Sequence, residues 1–278
     1  MKGLVIKSTG SFATVRTEKG NILDCRLKGV FRKDGGLRTT NPVAVGDRVE
    51  ITSAGNGETP WITEIEDRDN YLIRKSINLS KEAHVLAANI DRAYVVVTLH
   101  SPRTSMGFID RVLLTCEAYH ISAAIVINKA DLYQENEKDM DLLAAYIDVY
   151  ETAGYPVMLV SAASGMNLDL LKNDMTGKIC LFTGHSGSGK SSLVNRICPG
   201  LELKTAGISD AHNKGRHTTT FAELHEVFDN TYIIDTPGVK EFGVIDMDKT
   251  EIRDYFREFP EYAANCKFSN CMHVNEPQ

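Results

Sequence analysis

No stretch of this 278-residue chain approaches the roughly 18–20 consecutive apolar residues that a membrane helix needs. The opening Met1–Gly10 has too short an apolar core for a secretory signal. Six cysteines, at 25, 116, 180, 198, 266 and 271, are too scattered for a disulfide framework. There is no internal repeat. With 21 Gly and 8 Pro, the composition excludes collagen-like and low-complexity chains. What is present is average: 42% hydrophobic and 24% charged residues, enough for two or three modules. A cytoplasmic, reduced, monomeric protein without a membrane partner is expected.

A net charge of −6 argues against a polyanionic partner, but its distribution argues otherwise. Residues 1–40 carry nine basic and three acidic side chains, whereas the chain beyond residue 75 has a balance of −9. A locally basic module can bind a polyanion through its own face, because charges more than about 8–10 Å away are screened.

The first 70 residues read as short strands. Gly3–Lys7, Phe12–Thr17, Asn21–Leu27, Val45–Ile51 and Trp61–Ile65 alternate or are β-branched, with Thr9-Gly10 and Lys19-Gly20 between them. Five such strands predict a small closed barrel of OB type, and an SH3-like barrel would give much the same pattern. Beyond residue 88 the period changes. Ala93–Leu99 and Ala123–Ile127 are unbroken apolar runs, as strands buried on both faces require. Helical spacing over Phe108–Tyr119 and Asp139–Glu151, with further strands at Val157–Val160, Lys178–Thr183 and Thr231–Asp235, predicts an α/β domain with a parallel sheet and helices on both faces. The expected division is a barrel at 1–72, an α/β domain at 73–244 and a small helical, Cys/His-containing segment at 245–278.

Gly184-His185-Ser186-Gly187-Ser188-Gly189-Lys190-Ser191 fits G-x-x-x-x-G-K-S/T between a strand and a helix-competent stretch starting at Ser192. Glycines let backbone N–H groups wrap a phosphate, and the helix N-terminus favours negative charge. Lys190 would reach the β- and γ-phosphates, and Ser191 would hold Mg²⁺. Asn128-Lys129-Ala130-Asp131 follows the strand 123–127. A carboxylate at Asp131 can accept from both N1–H and the 2-amino group of guanine, a donor pair that adenine lacks. Lys129 can lie over the base, and Asn128 can brace the loop or contact N7. Ser161-Ala162 resembles the companion element whose backbone N–H contacts guanine O6. Asp235-Thr-Pro-Gly238 resembles a D-x-x-G switch, with Asp235 holding a Mg²⁺ water and Gly238 sensing the γ-phosphate. In 205–220 the hydroxyls of Thr218–Thr220 suit a first switch, with Thr219 as the expected Mg²⁺ ligand.

The order of these motifs is unusual: the base readers precede the phosphate loop and the switches come last. The chain is circularly permuted, its old ends joined through Asn167–Lys178. With the barrel in front and Cys/His residues behind, it closely resembles the RsgA (YjeQ/YloQ) family of small-ribosomal-subunit biogenesis GTPases. The resemblance implies hydrolysis of GTP to GDP, stimulated by the small (30S) ribosomal subunit, and a role in late maturation of that subunit. A switch so close to the C-terminal segment could reposition it when the nucleotide changes.

Three further expectations concern single groups. Cys266-x4-Cys271-x-His273 has the ligand types and spacing for a structural Zn²⁺. The resembling family has a fourth ligand six positions after the His, which would be residue 279, past Gln278. In the barrel, Arg26, Lys28, Arg32, Lys33 and Arg38 would contact RNA phosphates, with Phe31 stacking on a base. Directly after D-x-x-G stands Val239, which cannot orient the attacking water as the Gln of Ras does. His217 is the expected substitute, with His185 and His212 as rivals. Two other classes compete with this reading. One is a nucleotide-gated switch whose barrel binds only protein, and the other is an ATP-dependent kinase. The basic segment of the barrel, which should give salt-dependent RNA affinity, opposes the first, and the Asp131 geometry opposes the second.

Overall fold

The structure, a computed structural model, describes residues 1–27, 41–52, 58–75, 83–134, 136–201, 222–235, 249–268 and 271. These pack as two compact units. One comprises the described residues of 1–91, 175–181 and 222–235, and the other those of 92–174, 182–201 and 249–271.

In the first unit β1 (Lys2–Ser8), β2 (Phe12–Thr17), β3 (Ile22–Leu27), β4 (Arg48–Ile51) and β5 (Trp61–Ile65) form the barrel. Alternate side chains turn inward, so Val5, Ala13, Val15, Cys25, Val49, Ile51 and Ile62 share one core. β1 pairs antiparallel with β2, and β2 with β3. β3 runs parallel to β5, β5 antiparallel to β4, and β4 returns to β1. Closure in that order is the OB-type solution, which decides between the two barrels that the sequence allows. Asp47, fully buried, fixes the turn into β4: it accepts from Ala44 N–H at 2.8 Å and from Arg68 Nε at 2.7 Å.

Beyond the barrel, β6 (Tyr71–Lys75) and β7 (Ala83–Ala88) make an antiparallel pair that the sequence reading did not foresee. No Gly or Pro separates the two strands to announce a turn. Also in this unit, residues 179–181 of β11 (Ile179–Thr183) lie parallel to β13 (Thr231–Asp235). The other neighbour of β13, β12 (Glu223–Phe228), is antiparallel, so the expected all-parallel sheet is mixed. The reason is local. Only Asp229 and Asn230 join the two strands, both at positive φ (39° and 55°), and a two-residue hairpin turn permits no crossover. β12 also meets β1, with Lys7 opposite Glu223.

In the second unit β8 (Arg92–Val97), β9 (Ala123–Ile127) and β10 (Val157–Leu159) are parallel, with Ala93 opposite Ala123 and Ile125 opposite Val157. Ala93–Val97 and all of β9 are buried, as their unbroken apolar sequence requires. α1 (Met106–Ala118) and α2 (Glu137–Thr152) connect these strands. Ser105 caps α1 through Phe108 N–H, and Asn136 caps α2 through Lys138 N–H. The stretch 167–178, expected to be a plain connection, contains α3 (Leu168–Met175), whose Leu171 and Met175 are buried one turn apart. α4 (Lys190–Ile197) follows β11.

The described C-terminal residues form α5 (Lys249–Asp254) and α6 (Phe259–Ala263). Between them Arg257 donates from Nε to Glu117 at 2.8 Å and from Nη1 to the Gly154 carbonyl at 2.7 Å. Its guanidinium also lies 4.1 Å from the Tyr155 ring centroid. One side chain thereby ties the segment to the ends of α1 and α2.

Candidate nucleotide-binding site

The phosphate loop runs from the end of β11 into the first turn of α4, as the motif demands. Two of its glycines are required by neighbours. At Gly184 (φ 140°) a Cβ would stand 2.2 Å from the Val96 carbonyl, and at Gly189 (φ 94°) it would stand 2.2 Å from Asn128 Nδ2. Lys190 Nζ donates to the carbonyls of Gly184 (2.7 Å) and His185 (2.8 Å), so the ammonium is held inside the loop. Ser191 lies in the first helical turn beside it, half-buried, with exposed Ser192 next. Ser186 and Gly187 form the loop's outer turn, and Pro102 from the segment after β8 lies against Gly187.

The base loop is joined to the phosphate loop by one side chain. Asn128, buried at the end of β9, donates from Nδ2 to the Ser188 carbonyl at 2.9 Å. Its Oδ1 accepts the Ala162 N–H at 3.1 Å, so the 161–162 element anchors the same amide from the other side. Ser161 is buried, and its hydroxyl accepts Ser164 N–H at 3.1 Å. Ala130 N–H reaches the Val160 carbonyl at 3.0 Å. Lys129 adopts the left-handed conformation (φ 65°), and its ammonium donates to the Ser101 carbonyl. Asp131 is the telling residue. Its Oδ1 is buried and accepts from no donor among the described residues. A shielded carboxylate oxygen without a donor is costly, and a ligand bringing N–H groups would relieve that cost.

Sequence reasoning missed two side chains here. Tyr133, two residues past Asp131, is completely buried, and burial pushes its phenol above the usual range. The Phe108 ring lies 3.9 Å from the His185 imidazole, so this histidine, a rival for water positioning, is stacked on α1. A single aromatic at helical spacing reads as ordinary core, and nothing local marks either residue.

Of the remaining expectations, Asp235 stands exposed at the end of β13. His212, His217, Thr219, Gly238 and Val239 lie outside the described residues, as do Lys28, Phe31, Arg32, Lys33, Arg38 and His273. Arg26 is described: its guanidinium lies 5.9 Å from both the Phe12 and the Trp61 ring centroids. Cys266 and Cys271 are half-buried, and among the described residues no three His, Cys, Asp or Glu side chains converge on a metal position.

A barrel followed by a phosphate-loop domain whose base readers come first defines a circularly permuted GTPase. Residues 65–245 match the RsgA GTPase family and residues 2–61 the RsgA N-terminal domain. The chain belongs to the RsgA GTPase family, a family of GTP-hydrolysing enzymes. It is 53% identical over 277 residues to small ribosomal subunit biogenesis GTPase RsgA 2 of Bacteroides thetaiotaomicron, covering 100% of this chain and 88% of that protein. To the protein called small ribosomal subunit biogenesis GTPase RsgA in Flavobacterium psychrophilum it is 46% identical, covering 100% and 85%. Among solved structures it superposes on YjeQ from Thermotoga maritima with a TM-score of 0.79 at 34% identity, covering 100% and 88% of the two chains. For YloQ, described as a circularly permuted GTPase, the TM-score is 0.74 at 29% identity, covering 99% and 84%.

Proposed function

We propose that this chain hydrolyses GTP to GDP and phosphate as a factor in late maturation of the small ribosomal subunit. It would act in the cytoplasm as a monomer, stimulated by the subunit itself. The observation that carries the nucleotide reading is the unsatisfied, buried Oδ1 of Asp131 on a loop tied through Asn128 to the phosphate loop. Guanine supplies two adjacent N–H donors for one carboxylate, and adenine does not. Asn128, Lys129, Ala130 and Asp131 with Ser161 and Ala162 hold the base. Gly184 to Ser192 hold the phosphates, with N–H groups at the start of α4 and the Lys190 ammonium opposing their charge. Bound Mg²⁺, held by Ser191, Thr219 and Asp235, would neutralise charge developing on the transferred phosphoryl. Gly238 senses the γ-phosphate. His217 orients the attacking water, a role that Val239 cannot fill. Titration with GTP and ATP tests the base reading, and equal or tighter ATP binding would refute it.

The barrel reading rests on a row of side chains. Phe12, Arg26 and Trp61 stand side by side across β2, β3 and β5, both rings well exposed, with the guanidinium between them. Such a platform suits stacking on unpaired bases, and the basic residues Lys28 to Arg38 would add phosphate contacts beside it. Phe31 would contribute a further ring. Trp61→Ala and Arg26→Glu should each weaken cosedimentation with small ribosomal subunits while leaving GTP affinity unchanged. Undiminished cosedimentation of both variants would remove this face from the account. For the C-terminal segment we propose a structural Zn²⁺ on Cys266, Cys271 and His273.

A further inference from the structure

The base loop has a support that none of the motifs supplies. Tyr133 is 1% exposed. Its hydroxyl donates to the Asn128 backbone carbonyl at 2.9 Å and accepts the Leu99 N–H at 3.1 Å. Leu99 lies just past β8 and Asn128 just past β9, so one hydroxyl joins the ends of two neighbouring parallel strands. Leu99 and Asn128 are themselves buried, and water cannot replace the hydroxyl if it is removed. The ring edge meets His100 at 6.1 Å between centroids, and His100 Nε2 lies 2.7 Å from Asp139 Oδ1, which fixes the phenol from the side of α2.

Asn128 is therefore restrained at every polar group. Its N–H goes to the Val97 carbonyl at 2.9 Å, its amide to Ser188 and Ala162, and its carbonyl to Tyr133. The amide belongs to the motif and the N–H to the strand. The carbonyl fixes the peptide after Asn128, from which residues 129–131 continue, and the Ala130 N–H to the Val160 carbonyl holds that loop further on.

We propose that Tyr133 is a positioning residue for guanine specificity: its hydroxyl sets the rotation of residues 128–131 and so the angle at which Asp131 meets the base. The proposal rests on the reading of Asp131 given above. Hydrogen bonds weaken steeply off-line, so a carboxylate accepting from two parallel donors loses more by a rotation than one accepting from a single donor. Hypoxanthine keeps N1–H and lacks the 2-amino group. Loss of the Tyr133 hydroxyl should therefore harm GDP binding more than IDP binding.

The test is the GDP-to-IDP affinity ratio of Tyr133→Phe, with thermal melting to verify folding and Tyr133→Met as a second hydroxyl-free variant should the first not purify. The expected result is an affinity for GDP about tenfold weaker and a ratio reduced severalfold, since two buried groups lose their partner. Tyr94→Phe is the control. It removes another phenol bond in the same unit, to Asp174 at 2.6 Å, and should leave the ratio unchanged. Equal losses for GDP and IDP, or no loss, would overturn the proposal and leave Tyr133 a structural residue. Asp131→Asn with XDP checks the underlying reading separately: a gain of XDP affinity supports it. No gain removes the base reading, and the proposal with it.

Discussion

Gly189 shows how little freedom the site leaves to single residues. A methyl there would collide with Asn128 Nδ2 and demand a left-handed backbone that alanine resists. Gly189→Ala should abolish measurable GTP binding while the protein still melts cooperatively; wild-type affinity would show that Asn128 can move aside. His217→Ala should lower subunit-stimulated turnover by about 10²-fold or more, the range for a positioned acid–base group, with GTP binding retained. Surviving stimulation would assign the water to another group. The cysteines give a third test. Burial holds the Cys25 and Cys198 thiols up at about 11, and Cys116 and Cys180 are also buried. At pH 8 only half-buried Cys266 and Cys271 should react quickly with a thiol reagent. Added Zn²⁺ should slow that pair; unchanged rates would reject the zinc reading. The motif residues were legible because phosphate and guanine chemistry dictates residue type and spacing together. Tyr133 and Phe108 were not, because their roles arise only where separate loops meet.

Among the elements, the alternating strands of the barrel and the apolar strands β8 and β9 announced themselves through period and burial. Four elements did not. β6 and β7 lack a turn signal, and α3 is too short for its period to stand out. β12 is marked as antiparallel only by the Asp229-Asn230 turn. The docking of α5 and α6 was equally hidden, since it depends on Arg257 meeting Glu117, Gly154 and Tyr155. Arg257→Ala removes two hydrogen bonds and a ring contact, costing about 1–3 kcal/mol of docking. Amide exchange in residues 249–268 should then accelerate by about 5- to 150-fold with the strands unaffected. Unaltered exchange would mean that contacts other than those of Arg257 hold the segment.

At the scale of the molecule, residues 1–40 carry a positive balance and the chain beyond residue 75 a negative one, the distribution on which the proposal of a polyanion-binding barrel rests. The Lys190 cradle and the Asn128 tether of the phosphate loop are formed by the chain's own residues, and Val239 stands after the switch motif, where the Gln of Ras would orient the attacking water. On the function proposed above, such an enzyme should bind nucleotide readily and turn over slowly alone. Its central claim is therefore a conditional one, and the most direct measurement is phosphate release from GTP with and without purified small ribosomal subunits, with ATP in parallel. The account predicts slow release by the protein alone, a rise of at least about tenfold when subunits are added, on the scale of supplying a missing catalytic group, and no response with ATP. Release from GTP that is indifferent to subunits, or an equal response with ATP, would contradict it.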